Sequence, residues 1–304
     1  AGGADVGVVD EGADLAVGRI IKMHDSDAAC LEEPAHASSD VGLPDDQHAL
    51  LGHGCFPPWL WPSVFAACTW HTYIWRALRH YARSMGMNDF PELVRTRRSI
   101  RDFRPEAVPA EVLQAILDDA KWAPSWTNTQ PYFLAIASGD KADRLRVRYL
   151  EAFDASLDAQ HKKPLALLRM FLLRRGYPDG DFKTWRAYPK ELQPYRVKVG
   201  RELYSHLGIA RNDRAGRDAQ WRRNCEFFGA PTVVFIFAHE GLLPFSALDA
   251  GSMMEALMLS AHARGLGTCA LGVLATWRGP VDTEFDIPKH YKLLTGLAIG
   301  YPSE

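Results

Sequence analysis

Three guanidinium groups and one hydroxyl stand within five residues, Arg97-Arg98-Ser99-Ile100-Arg101. A phosphate monoester carries close to two negative charges, and arginine meets it through paired N–H donors, so Arg97, Arg98 and Ser99 can form an anion cradle. The step from Ser99 to Arg101 lets another cation turn toward the same ligand, where it can face a polarised ring carbonyl. Two plainer readings stand beside this one. The cluster can be a solvated basic helix end, and Asp102 can neutralise Arg101 in a surface salt bridge.

A second group follows one helix-length later, Ala123-Pro124-Ser125-Trp126-Thr127-Asn128-Thr129-Gln130-Pro131. Proline and small hydroxyl residues stiffen a turn, while Asn128 and Gln130 offer both donors and acceptors. Such a turn suits a polyhydroxyl chain or a heterocyclic edge, or it simply ends a helix. The third group is Gly265-Leu266-Gly267-Thr268-Cys269-Ala270-Leu271-Gly272. A dinucleotide fingerprint needs a strand before its glycines and a helix after them, and here the helix comes first. The stretch is therefore a close-approach backbone segment around Ala270, Leu271 and Gly272, or an ordinary helix-to-strand connection.

These groups need elements to position them. Pro109 opens a helix in which Val112, Leu113, Ile116, Leu117 and Ala120 recur at helical spacing, with Pro124 as its stop. Tyr132 to Ala137 reads as a strand, residues 141–158 as a helix, and Leu165 to Leu173 as another. Residues 161–195 carry the turn cluster Gly176-Tyr177-Pro178-Asp179-Gly180 and are expected to form an insertion over the site. Residues 211–228 read as a charged helix. Thr232 to Ala238 is a β-branched run typical of a buried strand, and Leu248 to Ala263 is apolar all round, as a core helix would be. Leu271 to Leu274 and Leu294 to Tyr301 are further strands. Phe227 and Phe228, before Gly229-Ala230-Pro231, can line a substrate pocket or close a core. The irregular mixture, with helices in the majority, predicts an α+β sandwich.

Composition sets the outer limits. A net charge of -2 provides no general basic field, so neither nucleic acid nor a membrane surface is an expected partner. The most apolar stretch, residues 56–75, is broken by Pro57, Pro58 and Pro62, which argues against a membrane span. Five cysteines at wide spacing form no C-x-x-C pair, and the histidines no H-E-x-x-H, so no metal site is expected and a reducing cytoplasm is the simpler setting. In residues 1–86 acidic side chains outnumber basic ones about two to one, and periodicity is weak. That part is expected to be a poorly ordered or spurious extension, and residues 87–304 the folded domain.

In this order and at these intervals, the three groups resemble the FMN-dependent nitroreductases. The likeness is greatest to the longer bacterial nitroaromatic-reductase group, which has a helical insertion ahead of the Phe-Phe-Gly-Ala-Pro element. The resemblance runs from Asp89 to Glu304. It implies a three-layer α+β sandwich with a mostly antiparallel central sheet flanked by helices, and a homodimer with two FMN sites at its interface. Arg97, Arg98 and Ser99 would hold the phosphate. Arg101 would stand beside N1 and the C2 carbonyl, stabilising negative charge on the reduced ring. Backbone at Ala270, Leu271 and Gly272 would pass the ring, with an N–H reaching N5. Pro124, Ser125, Trp126 and Asn128 would contact the flavin of the other subunit, and Trp126, with Phe227 and Phe228, would shape the substrate pocket.

The implied activity is ping-pong transfer of two electrons from NADPH or NADH to a nitroaromatic compound, with the flavin carrying the hydride and no obligatory catalytic side chain. A reductase of quinones, enones or halogenated aromatics, or a non-catalytic FMN-binding protein, fits the same motifs. Two departures stand out. Trp126 occupies a position commonly small, where it can narrow the pocket or stack on an aromatic substrate. The sequence stops just after Gly300-Tyr301-Pro302, where relatives usually continue with a basic residue and a dimer-crossing arm, so a truncated C-terminus and weaker FMN retention are expected.

Overall fold

The computed structural model describes residues 90–184 and 187–303, together with the two-residue strand β1 (Ile20–Ile21). The expected extension, residues 1–86, lies outside the described residues apart from that strand. The chain divides into two units, residues 24–95 and residues 1–23 with 96–304. Helix α1 (Phe90–Thr96) ends at the boundary of the smaller unit.

The larger unit continues in chain order. It contains α2 (Ala110–Ala120), β2 (Tyr132–Ser138), α3 (Gly139–Gln160), α4 (Pro164–Leu173), α5 (Gln193–His206) and α6 (Arg214–Cys225). After these come β3 (Thr232–His239), α7 (Phe245–Ala263), β4 (Gly267–Leu271), the short α8 (Gly279–Asp282) and β5 (Tyr291–Gly300). The strands form one sheet in the order β1-β2-β3-β5-β4, with every neighbouring pair antiparallel.

Strand alternation splits the core into two layers. Phe133, Ala135, Val233, Phe235 and Phe237 face one side, against Leu145, Tyr149 and Phe153 of α3. Leu134, Ile136, Val234, Ile236 and Leu297 face the other, against Leu113, Ile116 and Leu117 of α2 and Met253 and Leu257 of α7. Both faces are dry, which is why β2 and β3 read as unbroken apolar runs. The result is the expected three-layer α+β sandwich.

Several boundaries differ from the sequence reading. α2 stops at Ala120, ahead of Pro124, because a proline disfavours helical backbone before it. The strand expected at Leu271 to Leu274 lies earlier, at Gly267–Leu271, and Gly272–Thr276 forms a tight 3-10 turn. The charged helix is shorter, beginning where the Asp213 carboxylate accepts the Gly216 N–H at 2.8 Å. It ends before Phe227 and Phe228, both at φ 55°. Helix α5 was not legible as one, and it buries no residue that would impose a periodicity. Among the described residues, no helix is long and apolar enough to cross a membrane.

The insertion is rooted through polar contacts. Its turn cluster docks on the segment after β4: Gly180 N–H donates to Thr276 O at 3.0 Å, and Trp277 Nε1–H donates to Gly176 O at 3.3 Å. A Cβ on Gly180 would lie 1.9 Å from Ala275 O, so the approach requires glycine. Asp181 accepts from Arg278 at 2.7 Å and from Leu293 N–H at 2.8 Å, and the Arg278 guanidinium also lies 5.0 Å over the Phe237 ring. The side chains of this pair are only 14% and 15% exposed. Removing one partner strands a largely buried charge, so Asp181→Ala is expected to lower stability by about 3 kcal/mol in urea unfolding. A loss below roughly 0.5 kcal/mol, the range of ordinary surface changes, would contradict this role.

Candidate functional site

The arginine segment is tied to the edge of the sheet. Ser99 bridges Thr268 of β4 in parallel, and Ile100 N–H donates to Thr268 O at 3.0 Å. Ile100 fits over Gly267, where a Cβ would come within 2.7 Å of its side chain. Because Thr268 O points away from β5, the alternation of an antiparallel pair turns the Ala270 N–H and C=O to the same outer edge. Ala270 is exposed between buried neighbours, and a Cβ on the exposed Gly272 would meet nothing within 4 Å. An open stretch of backbone thus stands beside the arginines.

The charges there are unevenly satisfied. Asp102 does not neutralise Arg101; it accepts from Arg223 at 2.6 Å, and that bond, with one from Ser303, holds its carboxyl below the usual range. Among the described residues Arg101 reaches the Ser99 carbonyl, at 3.5 Å, and no carboxylate. Arg97 lies 3.8 Å from Glu255, and Arg98 donates to Arg97 O at 2.9 Å. Burial pushes the Cys269 thiol up, while Arg101 and Arg97 pull it down, which sets both cations within electrostatic reach of β4. An anionic group and a flat, hydrogen-bonding edge are the ligand features such a surface can hold.

The second group is a strained turn on α7. Thr127, Asn128 and Gln130 have φ of 48°, 54° and 44°, a conformation costly for residues with a side chain. Two bonds fix it: Trp126 N–H donates to Asp249 Oδ2 at 3.0 Å, and Gln130 N–H to Ser125 Oγ at 2.9 Å. The Trp126 ring is 55% exposed and lies 4.5 Å from that of Phe245. Pro124 and Asn128 are exposed as well. The turn meets α7 at its first residues, while the arginine segment meets it further along at Glu255.

Phe227 and Phe228 belong elsewhere. They are 0% and 2% exposed, and Phe227 packs edge-on against Tyr149 at 6.0 Å. Their expected place in a substrate pocket gives way to a packing role, because a helix ending against the sheet must cover its last apolar side chains. Sequence reasoning also passed over Asp249 and Glu255. Each is a lone carboxylate in an otherwise apolar helix, a signal that was present.

The sequence model of the nitroreductase family matches residues 94–301. The chain belongs to the nitroreductase family. It is 31% identical over 212 residues to nitroreductase NfnB of Mycolicibacterium smegmatis, covering 70% of this chain and 82% of the relative. A 4-nitrobenzoate reductase of Pseudomonas putida is 29% identical over 217 residues, covering 71% of this chain and 87% of the relative. The crystal structure of the FMN-dependent nitroreductase NfnB from Mycobacterium smegmatis in complex with NADPH superposes with a TM-score of 0.60 at 29% identity. That match covers 71% of this chain and 89% of the other.

In this nitroreductase-family chain the strained turn leans on Asp249, which stands beside a buried tyrosine. Asp249 stands near Tyr132, whose hydroxyl is buried without a partner among the described residues. Burial, and then the Asp249 charge, push the Tyr132 phenol up to about 12. An unfolded tyrosine titrates near 10, so between pH 10 and 12 the unfolded chain releases its proton first. Stability contributed by this group is complete below pH 10 and lost as pH rises toward 12. Melting curves should show a loss on the order of 2 kcal/mol across that window that is absent in Tyr132→Phe. Parallel pH curves for the two proteins would refute it.

Proposed function

We propose that this chain is an FMN-dependent NAD(P)H oxidoreductase that reduces nitroaromatic compounds, working as a cytoplasmic homodimer. The observation that carries the reading is the arginine segment bridged to β4 beside the open edge at Ala270 and Gly272, in a chain of this family. The residues fit the cofactor. Arg97, Arg98 and Ser99 offer charge-assisted donors to a phosphate. Arg101, with no carboxylate partner among the described residues, suits a ring edge that becomes negative on reduction. Ala270, Leu271 and Gly272 offer backbone hydrogen bonds without side-chain obstruction.

When bound, FMN would supply two-electron hydride chemistry between NADPH or NADH and the acceptor. The sum balances as a nitro group, NAD(P)H and one proton giving a nitroso group, NAD(P)+ and water. The protein's share is binding, orientation and electrostatics, and solvent can furnish the proton. The homodimer is supported by α7, a largely apolar helix whose Phe245 and Leu248 are 44% and 69% exposed. In that assembly Pro124, Ser125, Trp126 and Asn128 would contact the flavin held by the second copy.

Purified protein should be yellow, bleach when NADPH is added without oxygen, and recover colour with a nitroaromatic acceptor. Arg97→Ala is expected to weaken FMN binding about 10- to 100-fold, the usual worth of a lost charge-assisted pair, as measured by flavin fluorescence on dilution. Unchanged affinity would place the phosphate elsewhere.

A further inference from the structure

A cavity of ≈ 660 Å³ opens between the insertion and the turn that follows β4. Gly272 lines it at one end, and Trp221, Trp277 and Phe153 supply aromatic wall. Its volume is in the range of small-molecule sites. Among the described lining residues Arg196 of α5 is the one ionised group, its guanidinium 5.0 Å from the Tyr188 ring centroid. Among the described lining residues there is no carboxylate to offset that positive charge. The other polar lining groups include Asn224 and Gln160, which are neutral.

We infer that this cavity is the acceptor site, and that Arg196 makes it select aromatic acceptors carrying one negative charge. The inference rests on the reductase reading given above, since Gly272 belongs both to this cavity and to the proposed cofactor edge. The aromatic wall buries a ring through dispersion and area, which a neutral and an anionic acceptor share. Only the anion gains from the guanidinium, which also presents a planar fork to a carboxylate. Tyr188 stiffens that fork by holding its face. Discrimination therefore falls on Arg196, and it concerns the charged substituent rather than the group being reduced.

The test compares 4-nitrobenzoate with its neutral methyl ester on the flavin-loaded protein. Arg196→Gln should lower kcat/KM for the carboxylate about tenfold and leave the ester within about twofold, with Arg196→Lys recovering part of the loss. Calorimetric titration with benzoate, which carries no reducible nitro group, should show a similar rise in Kd in Arg196→Gln. Equal losses on both acceptors, or a loss confined to reduction by NADPH, would overturn the assignment. A flavin-loaded protein that fails to oxidise NADPH with either acceptor would sink the reductase reading instead. The benzoate titration would then still decide whether Arg196 binds an aromatic anion, and unchanged affinity there would overturn it.

Discussion

A sheet packed with helices on both faces can offer a ligand only its edges, and this constraint governs the molecule. Cores on either side of β2, β3 and β5 exclude water so fully that no polar side chain could work from the middle of the sheet without a large desolvation cost. Of the two edge strands, β1 and β4, it is β4 that the arginine segment joins. Its backbone is partly consumed by the Ser99 bridge and partly left open at Ala270 and Gly272. The same contact that caps the edge also brings the arginines beside the open backbone, so one short segment does both.

α7 serves as the common beam. Its apolar surface fills one core layer through Met253 and Leu257, while Asp249 and Glu255 reach out to the strained turn and to Arg97. A largely apolar helix with two isolated carboxylates thus holds two segments that are unlike in chemistry. The left-handed residues of the turn persist because Asp249 and Ser125 take up the part-buried amides of Trp126 and Gln130 at its two ends.

Much of this was legible in the residues. The strands at Tyr132 and Thr232 were readable because burial on both sides writes a continuous apolar run, and α2 because a single buried stripe writes a 3.6-residue period. The arginine cluster was visible as composition. Its meaning depended on long-range partners that no local pattern encodes: Ser99 with Thr268, and Asp102 with Arg223 rather than with its neighbour Arg101. β4 was misplaced because its outward edge admits an exposed Ala270 and its glycines blur the start. α5 and Arg196 were missed because a helix that buries nothing leaves no periodic trace. Phe227 and Phe228 misled for the opposite reason, since an aromatic pair reads alike whether it lines a pocket or closes a core.

The way the insertion is rooted has a consequence for engineering. Gly176, Gly180 and Asp181 fasten its base to the segment after β4 and to β5, while α4 and α5 bury no residue at all. Substitutions in those two helices touch no buried side chain, yet Leu167, Met170 and Arg196 from them line the cavity. Such an arrangement uncouples the wall of that cavity from the packing that builds the sheet. A laboratory library confined to α4 and α5 would vary the wall without reopening the problem of how the sheet is built.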